Sequence, residues 1–267
     1  MTLITLPRSK TRHGSAYFEA GRGEPLVLIH GVGMRLEAWI PQMDALSAQH
    51  RVIAVDMPGH GESLPLPAGS RLEAFVAWLG VFFDDLALER VALVGHSMGA
   101  LIVGGAAASF GARLSRVALL NGVHRRGPEA SAAVRERAAR IAQGNVDIDG
   151  PLGRWFGEGA ETQEAYRLTR GWLSSMDGQA YATAYTAFAH GDAVYADAWP
   201  RVGCPALFLT GRDDPNSTPE MAEAMAAAAP NGRAVIIEGH RHMVNLTAPG
   251  EVNRILANWL QADGMAI

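Results

Sequence analysis

The stretch Val91-Ala92-Leu93-Val94-Gly95-His96-Ser97-Met98-Gly99-Ala100 decides the fold. Its first four residues form an unbroken apolar run, the pattern of a strand buried on both faces. Gly95 breaks the run, Ser97 falls in a sharp turn, and an Ala/Gly-rich helix is predicted from about Gly99. Gly-x-Ser-x-Gly after such a strand sets the serine on a strained strand-to-helix turn, a nucleophile elbow, with small neighbours because a Cβ there would collide. The pentapeptide alone is common by chance, so the strand before it and the helix after it carry the reading.

Working outward, the same alternation recurs on both sides. Upstream, Ser15 to Ala20 reads as a short strand, and Pro25-Leu26-Val27-Leu28-Ile29-His30 as a buried one ending in His30-Gly31-Val32-Gly33. A helical pattern follows through Trp39, Ile40, Met43 and Leu46. The strand Arg51 to Asp56 closes in the turn Pro58-Gly59-His60-Gly61, and Leu72 to Leu88 has helical periodicity. Downstream of the elbow comes the strand Arg116 to Asn121. Strands alternating with helices predict a doubly wound, mostly parallel sheet, with ligands at the carboxyl ends of the strands.

From about His124 to Trp199 the alternation stops. This segment shows only helical spacing, as in Tyr181, Tyr185 and Phe188, and is too long for an ordinary loop. It is expected to form a small helical cap, residues 124–198, inserted into a core made of residues 1–123 and 199–267. The alternation resumes with the strand Pro205 to Thr210, a helix from Pro219 to Ala229, the strand Ala234 to Ile237, and a last helix from Pro249.

Composition agrees with one α/β domain carrying an insertion: 267 residues, 48% hydrophobic and 19% charged. A net charge of -4 gives no reason to expect nucleic acid or an anionic membrane as partner. The single cysteine, Cys204, allows no internal disulfide and reads as an inert core thiol in a reducing compartment. Met1 to Pro7 is too interrupted for a signal-peptide core, and no apolar run is long enough to span a bilayer. The expectation is a cytoplasmic protein without membrane or nucleic-acid partners; a homo-oligomer is compatible with all of this. The nine histidines show no metal-ligand spacing. Gly31 and Gly33 are followed by neither a Walker lysine nor a dinucleotide fingerprint, so no metal and no cofactor are expected.

A serine hydroxyl needs a base to take its proton and a third group to orient that base. Two late loops at the Ser97 end of the predicted sheet supply candidates. Gly211-Arg212-Asp213-Asp214-Pro215 offers two carboxylates, and Gly239-His240-Arg241-His242-Met243 offers two histidines. The residues alone leave both choices open. His30 and His96 flank the serine and are expected to make local hydrogen bonds, while Asp56 and His60 read as structural members of a Gly-rich turn.

Over nearly its whole length the chain resembles the α/β-hydrolase family. The likeness rests on His30-Gly31-Val32-Gly33, Asp56-Met57-Pro58-Gly59-His60-Gly61-Glu62-Ser63, Gly95-His96-Ser97-Met98-Gly99, Gly211-Arg212-Asp213-Asp214-Pro215 and His242-Met243-Val244-Asn245-Leu246, in that order. It implies an eight-stranded α/β-hydrolase fold with a catalytic triad of Ser97, Asp214 and His242. Arg241 stands where glycine is usual, which keeps His240 as the other candidate base. The resemblance also implies an oxyanion hole formed by the backbone N–H groups of Val32 and Met98. A serine at the elbow argues against dehalogenases and epoxide hydrolases, whose nucleophile there is an aspartate.

Arg154-Trp155-Phe156, the Tyr181 to Asp192 stretch and Met243 to Leu246 are similar to 3-oxoadipate enol-lactonases. That likeness implies hydrolysis of a small ester or enol-lactone. Read from the residues themselves, His30, Trp39, Arg154, Trp155 and Tyr185 are the candidates to line a substrate pocket, the alternative for the aromatics being packing within the cap. Arg125, Arg126 and Arg154 are the candidates to grip a substrate carboxylate. The alternatives are a C–C bond hydrolase of ring-cleavage diketones, which uses the same triad, and a non-catalytic ligand receptor on the same scaffold.

Overall fold

The computed structural model describes residues 5–157 and 160–262. An eight-stranded sheet runs through its centre in the order β1-β2-β4-β3-β5-β6-β7-β8. The strands are β1 (Ser9–Lys10), β2 (Ala16–Ala20), β3 (Pro25–Ile29), β4 (Arg51–Val55), β5 (Val91–His96), β6 (Leu114–Leu120), β7 (Ala206–Gly211) and β8 (Gly232–Ile237). The first two pair antiparallel, and all pairings from β4 to β8 are parallel.

Alternate side chains of each central strand enter different cores, as a two-residue period requires. On one face Val27, Ile29, Ile53, Val55 and Leu93 pack with α2 (Leu72–Asp85), α3 (Met98–Ser109) and α8 (Pro219–Ala228). On the other, Leu26, Leu28, Val52, Ala54 and Val94 pack with α1 (Ile40–Leu46) and α10 (Pro249–Gln261) through Met43, Leu46, Leu256 and Trp259. Both faces being covered explains why β3, β4 and β5 are continuous apolar runs rather than alternating ones.

Between β6 and β7 the chain leaves the sheet for four helices: α4 (Pro128–Ala142), α5 (Asp149–Trp155), α6 (Ala160–Ser174) and α7 (Gly178–Gly191). The 3₁₀ turn Ala196–Arg201 leads back into the core and runs across position 198/199. The short α9 (Val244–Thr247) precedes α10. No helix among the described residues is long and apolar enough to cross a membrane. Cys204 is half-buried just before β7, where burial pushes its thiol pKa up.

Candidate active site

Ser97 sits between β5 and α3 with φ +54° and ψ −111°, a conformation that costs a non-glycine residue free energy. The turn is tight enough that Cβ atoms are excluded on both sides. One on Gly95 would lie 2.2 Å from the Gly99 carbonyl oxygen, and one on Gly99 would lie 2.2 Å from that of Ile29. These contacts account for both glycines of the pentapeptide.

The β7–α8 loop carries Asp214 and the β8–α9 loop carries His242, and both side chains are buried beside Ser97. His242 Nε2 lies 3.0 Å from Ser97 Oγ, and His242 Nδ1 lies 2.7 Å from Asp214 Oδ2. The other members of each loop pair stand elsewhere. Asp213 is exposed, and His240 Nδ1 lies 3.0 Å from Thr247 Oγ1. Burial by itself raises the Asp214 pKa, but the adjacent His242 and hydrogen bonds from the Asn216 N–H and the Asn121 amide outweigh it and hold the carboxyl below its ordinary value.

Of the residues that support this arrangement, Asn121 has no distinguishing mark in the sequence, whereas His96, Trp155 and Arg241 are singled out there without these contacts. Asn121, at the end of β6 with φ +49°, donates from Nδ2 to Asp214 Oδ2 at 2.8 Å. Its asparagine identity suits both the left-handed backbone and the amide donor. His96 Nε2 donates to the His242 carbonyl at 2.8 Å, and burial followed by the neighbouring His242 lowers the His96 pKa to about 3. Trp155 of α5 lies against the His242 ring, centroids 5.6 Å apart and planes at 27°. Arg241, placed where glycine is usual, donates to the Phe156 carbonyl at 3.0 Å and the Gly153 carbonyl at 3.2 Å. The loop bearing His242 is thereby tied to the end of α5.

Val32 follows β3 in a loop whose shape is held from outside. The Gly33 N–H donates to His60 Nε2 at 3.0 Å, and the Leu36 N–H to Asp56 Oδ1 at 2.8 Å. Asp56 and His60 thus act as structural acceptors, as read from the turn. Met98 opens α3, so its N–H has no acceptor within the helix. Among the described residues neither the Val32 nor the Met98 N–H donates a hydrogen bond.

A cavity of about 310 Å³ opens over Ser97 and His242. Val32, Arg154, Trp155 and Tyr185 line it, together with Arg126, Arg137, Asn216 and Thr218. Two residues expected in the pocket are not there. Trp39 is fully buried on the opposite face of the sheet, in the core under α1 and α10, because the 3₁₀ turn Leu36–Trp39 points it that way. His30 is spent on the backbone: Nδ1 donates to the Gly31 carbonyl at 2.8 Å, and Nε2 accepts from the Met57 N–H at 3.0 Å. Burial holds its pKa well below the ordinary histidine value. Arg125 is also absent from the cavity; it is exposed and pairs with Asp197. No group of His, Cys, Asp and Glu among the described residues is arranged to hold a metal ion.

The model of the alpha/beta hydrolase family matches residues 26–255. The chain belongs to the α/β-hydrolase family. Over 97% of both chains this hydrolase is 49% identical to an (E)-2-((N-methylformamido)methylene)succinate hydrolase of Acinetobacter baylyi. Among solved structures it resembles a thermophilic esterase from Thermogutta terrifontis, with a TM-score of 0.87 and 27% identity over 96% of the hydrolase and 98% of the esterase. It also resembles an enol-lactonase from Burkholderia xenovorans, with a TM-score of 0.84 and 26% identity over 96% and 100% of the two chains.

Proposed function

We propose that this hydrolase cleaves an acylated small acid through an acyl-enzyme on Ser97, with His242 as general base and Asp214 as its orienting carboxylate. The observation that carries the reading is the continuous relay from Ser97 Oγ through His242 to Asp214, at 3.0 and 2.7 Å. Ser97 Oγ attacks the acyl carbonyl as His242 Nε2 takes its proton, and Asp214 stabilises the imidazolium that results. The oxyanion faces the N–H groups of Val32 and Met98, each such donor contributing about 10²–10³ in rate. His242 then hands its proton to the leaving group, and a water activated by the same histidine releases the acid. Helices α4–α7 serve as a cap that shields this chemistry from bulk water.

The substrate class follows from the A. baylyi relative. An N-formyl enamine carried on a succinate skeleton presents its formamide carbonyl to Ser97, giving a formyl-enzyme and then formate. The departing enamine nitrogen is conjugated through its double bond to a carboxylate, which spreads its electron pair and makes it a better leaving group than a simple amine. Esters and enol-lactones of similar size enter the same two-step route.

The test is a substrate panel of N-acyl enamine dicarboxylates, p-nitrophenyl esters, enol-lactones and ring-cleavage diketones, run on wild type and Ser97→Ala. The variant is expected to lose at least about 10³-fold in kcat, and intact-mass spectrometry of wild type to show a transient acyl adduct on Ser97. Wild-type turnover by Ser97→Ala would overturn the proposal, and exclusive cleavage of the diketones would favour carbon–carbon bond hydrolysis instead.

A further inference from the structure

We propose that Arg137 and Arg154 form a clamp for a dianion, each taking one carboxylate of a dicarboxylic substrate held over Ser97. The proposal rests on the acyl-hydrolase reading of that cavity. The cavity lining contains three guanidinium groups and no carboxylate. Arg126 already has its counter-ion: Asp192 lies 3.1 Å from it with both side chains nearly inaccessible, and Phe188 stacks under the guanidinium at 4.4 Å.

The other two lack such a contact, and Asp147 acts on Arg154 only from beyond salt-bridge distance. Among the described residues neither Arg137 nor Arg154 pairs with an acid, and the polar partner of Arg137 is the Tyr185 hydroxyl at 3.1 Å. Arg154 Nε is shut from solvent without an acceptor. Burial, and then the positive charge of Arg137, lower the Arg154 pKa, outweighing the smaller opposing pull of Tyr185 and Asp147. Holding two like charges together in a partly desolvated cavity is unfavourable, and an anion relieves it. A single carboxylate would leave one cation uncompensated, whereas two neutralise the pair. The site is shaped for this. Ala130, Ala133, Val134 and Arg137 lie on one face of α4, so small side chains leave room below Arg137, while Arg154 adjoins Trp155, which packs on His242.

The experiment measures competitive inhibition of p-nitrophenyl acetate hydrolysis by succinate, butyrate and inorganic phosphate in wild type. It is repeated with Arg137→Gln, Arg154→Gln and the corresponding lysine variants, and Ser97→Ala is the control for the reaction itself. Succinate is expected to inhibit at least about 10-fold more tightly than butyrate, and more weakly as ionic strength rises. Each glutamine variant is expected to raise the succinate inhibition constant about 10- to 100-fold, the range of a lost charge-assisted hydrogen bond. The lysines, which keep charge but lose the bidentate fork, should recover part of that. Equal inhibition by succinate and butyrate in wild type would overturn the clamp without any variant, as would phosphate outcompeting succinate. Turnover that does not depend on Ser97 would instead overturn the acyl-hydrolase reading.

Discussion

At Ser97 the chain holds an L-residue at positive φ so that the hydroxyl leaves the turn toward His242 rather than into the sheet. The strain is supported by neighbours with other duties, and Asn121 is the most informative of them. It too has positive φ, and its amide reaches Asp214, Thr210 Oγ1 and the Arg241 carbonyl. Asn121→Ala removes these donors and places alanine in the left-handed region, where it lacks the compensating hydrogen bonds of asparagine. It is expected to destabilise the protein by about 2–4 kcal/mol, summing the lost bond and the backbone cost, and to lower kcat by about tenfold through a less firmly held Asp214. Urea unfolding and steady-state kinetics check both numbers; an unchanged kcat would show that Asp214 needs no help from β6.

Among the elements, α3 shows how two glycines of one helix mean different things. A Cβ on Gly99 would meet the backbone oxygen of Ile29 at 2.2 Å, and neither partner can yield without moving β3. A Cβ on Gly104 would instead meet Trp199 at 3.5 Å, an ordinary contact. Gly99→Ala is therefore expected to cost about 3 kcal/mol or more by overpacking. Gly104→Ala is expected to stabilise by about 0.5–1 kcal/mol through helix propensity. Thermal melts of the two variants should move in opposite directions. The insertion is fixed to the core by a comparable pair of details. Gly33, at φ +79°, has Leu173 of α6 and Tyr181 of α7 packed where its Cβ would be, and Arg241 grips the end of α5.

For the whole molecule, three buried histidines set the response to acid. His30, His60 and His96 are all depressed by burial, His60 to about 4 and His96 to about 3. In the unfolded chain each takes a proton near pH 6.5, whereas the folded protein does not until far lower pH. Below about pH 6.5 the unfolded state therefore binds more protons, and stability falls as pH falls, by about 1.4 kcal/mol per pH unit for each such histidine. The raised carboxyl of Asp56 acts in the opposite sense, but only near its own titration range. The melting temperature at constant ionic strength is expected to drop steadily from pH 7 to pH 5, and His60→Gln, which keeps an acceptor for the Gly33 N–H, to shallow the slope. A flat profile would mean that these rings protonate in the folded state.

What the sequence by itself determined was local and additive. The apolar runs of β3, β4 and β5 specify a sheet covered on both faces, and Gly95-His96-Ser97-Met98-Gly99 specifies the elbow, because each depends on neighbours within a few residues. The loops after β7 and β8 were also legible as the places for the proposed acid and base. Choosing Asp214 over Asp213 and His242 over His240 was beyond the bare residues and came from family likeness, since adjacent loop residues differ only in which way they face. Tertiary structure decided everything that depends on packing between distant segments. It sent Trp39 to the far face of the sheet and gave His30 two backbone partners. It also brought Asn121 to Asp214, Trp155 to His242, and Arg137 and Arg154 to one cavity. Apart from the His30 bond to the adjacent Gly31 carbonyl, none of these contacts leaves a mark in the local sequence, because each joins residues whose separation is set by the insertion and the crossovers rather than by any helix or strand.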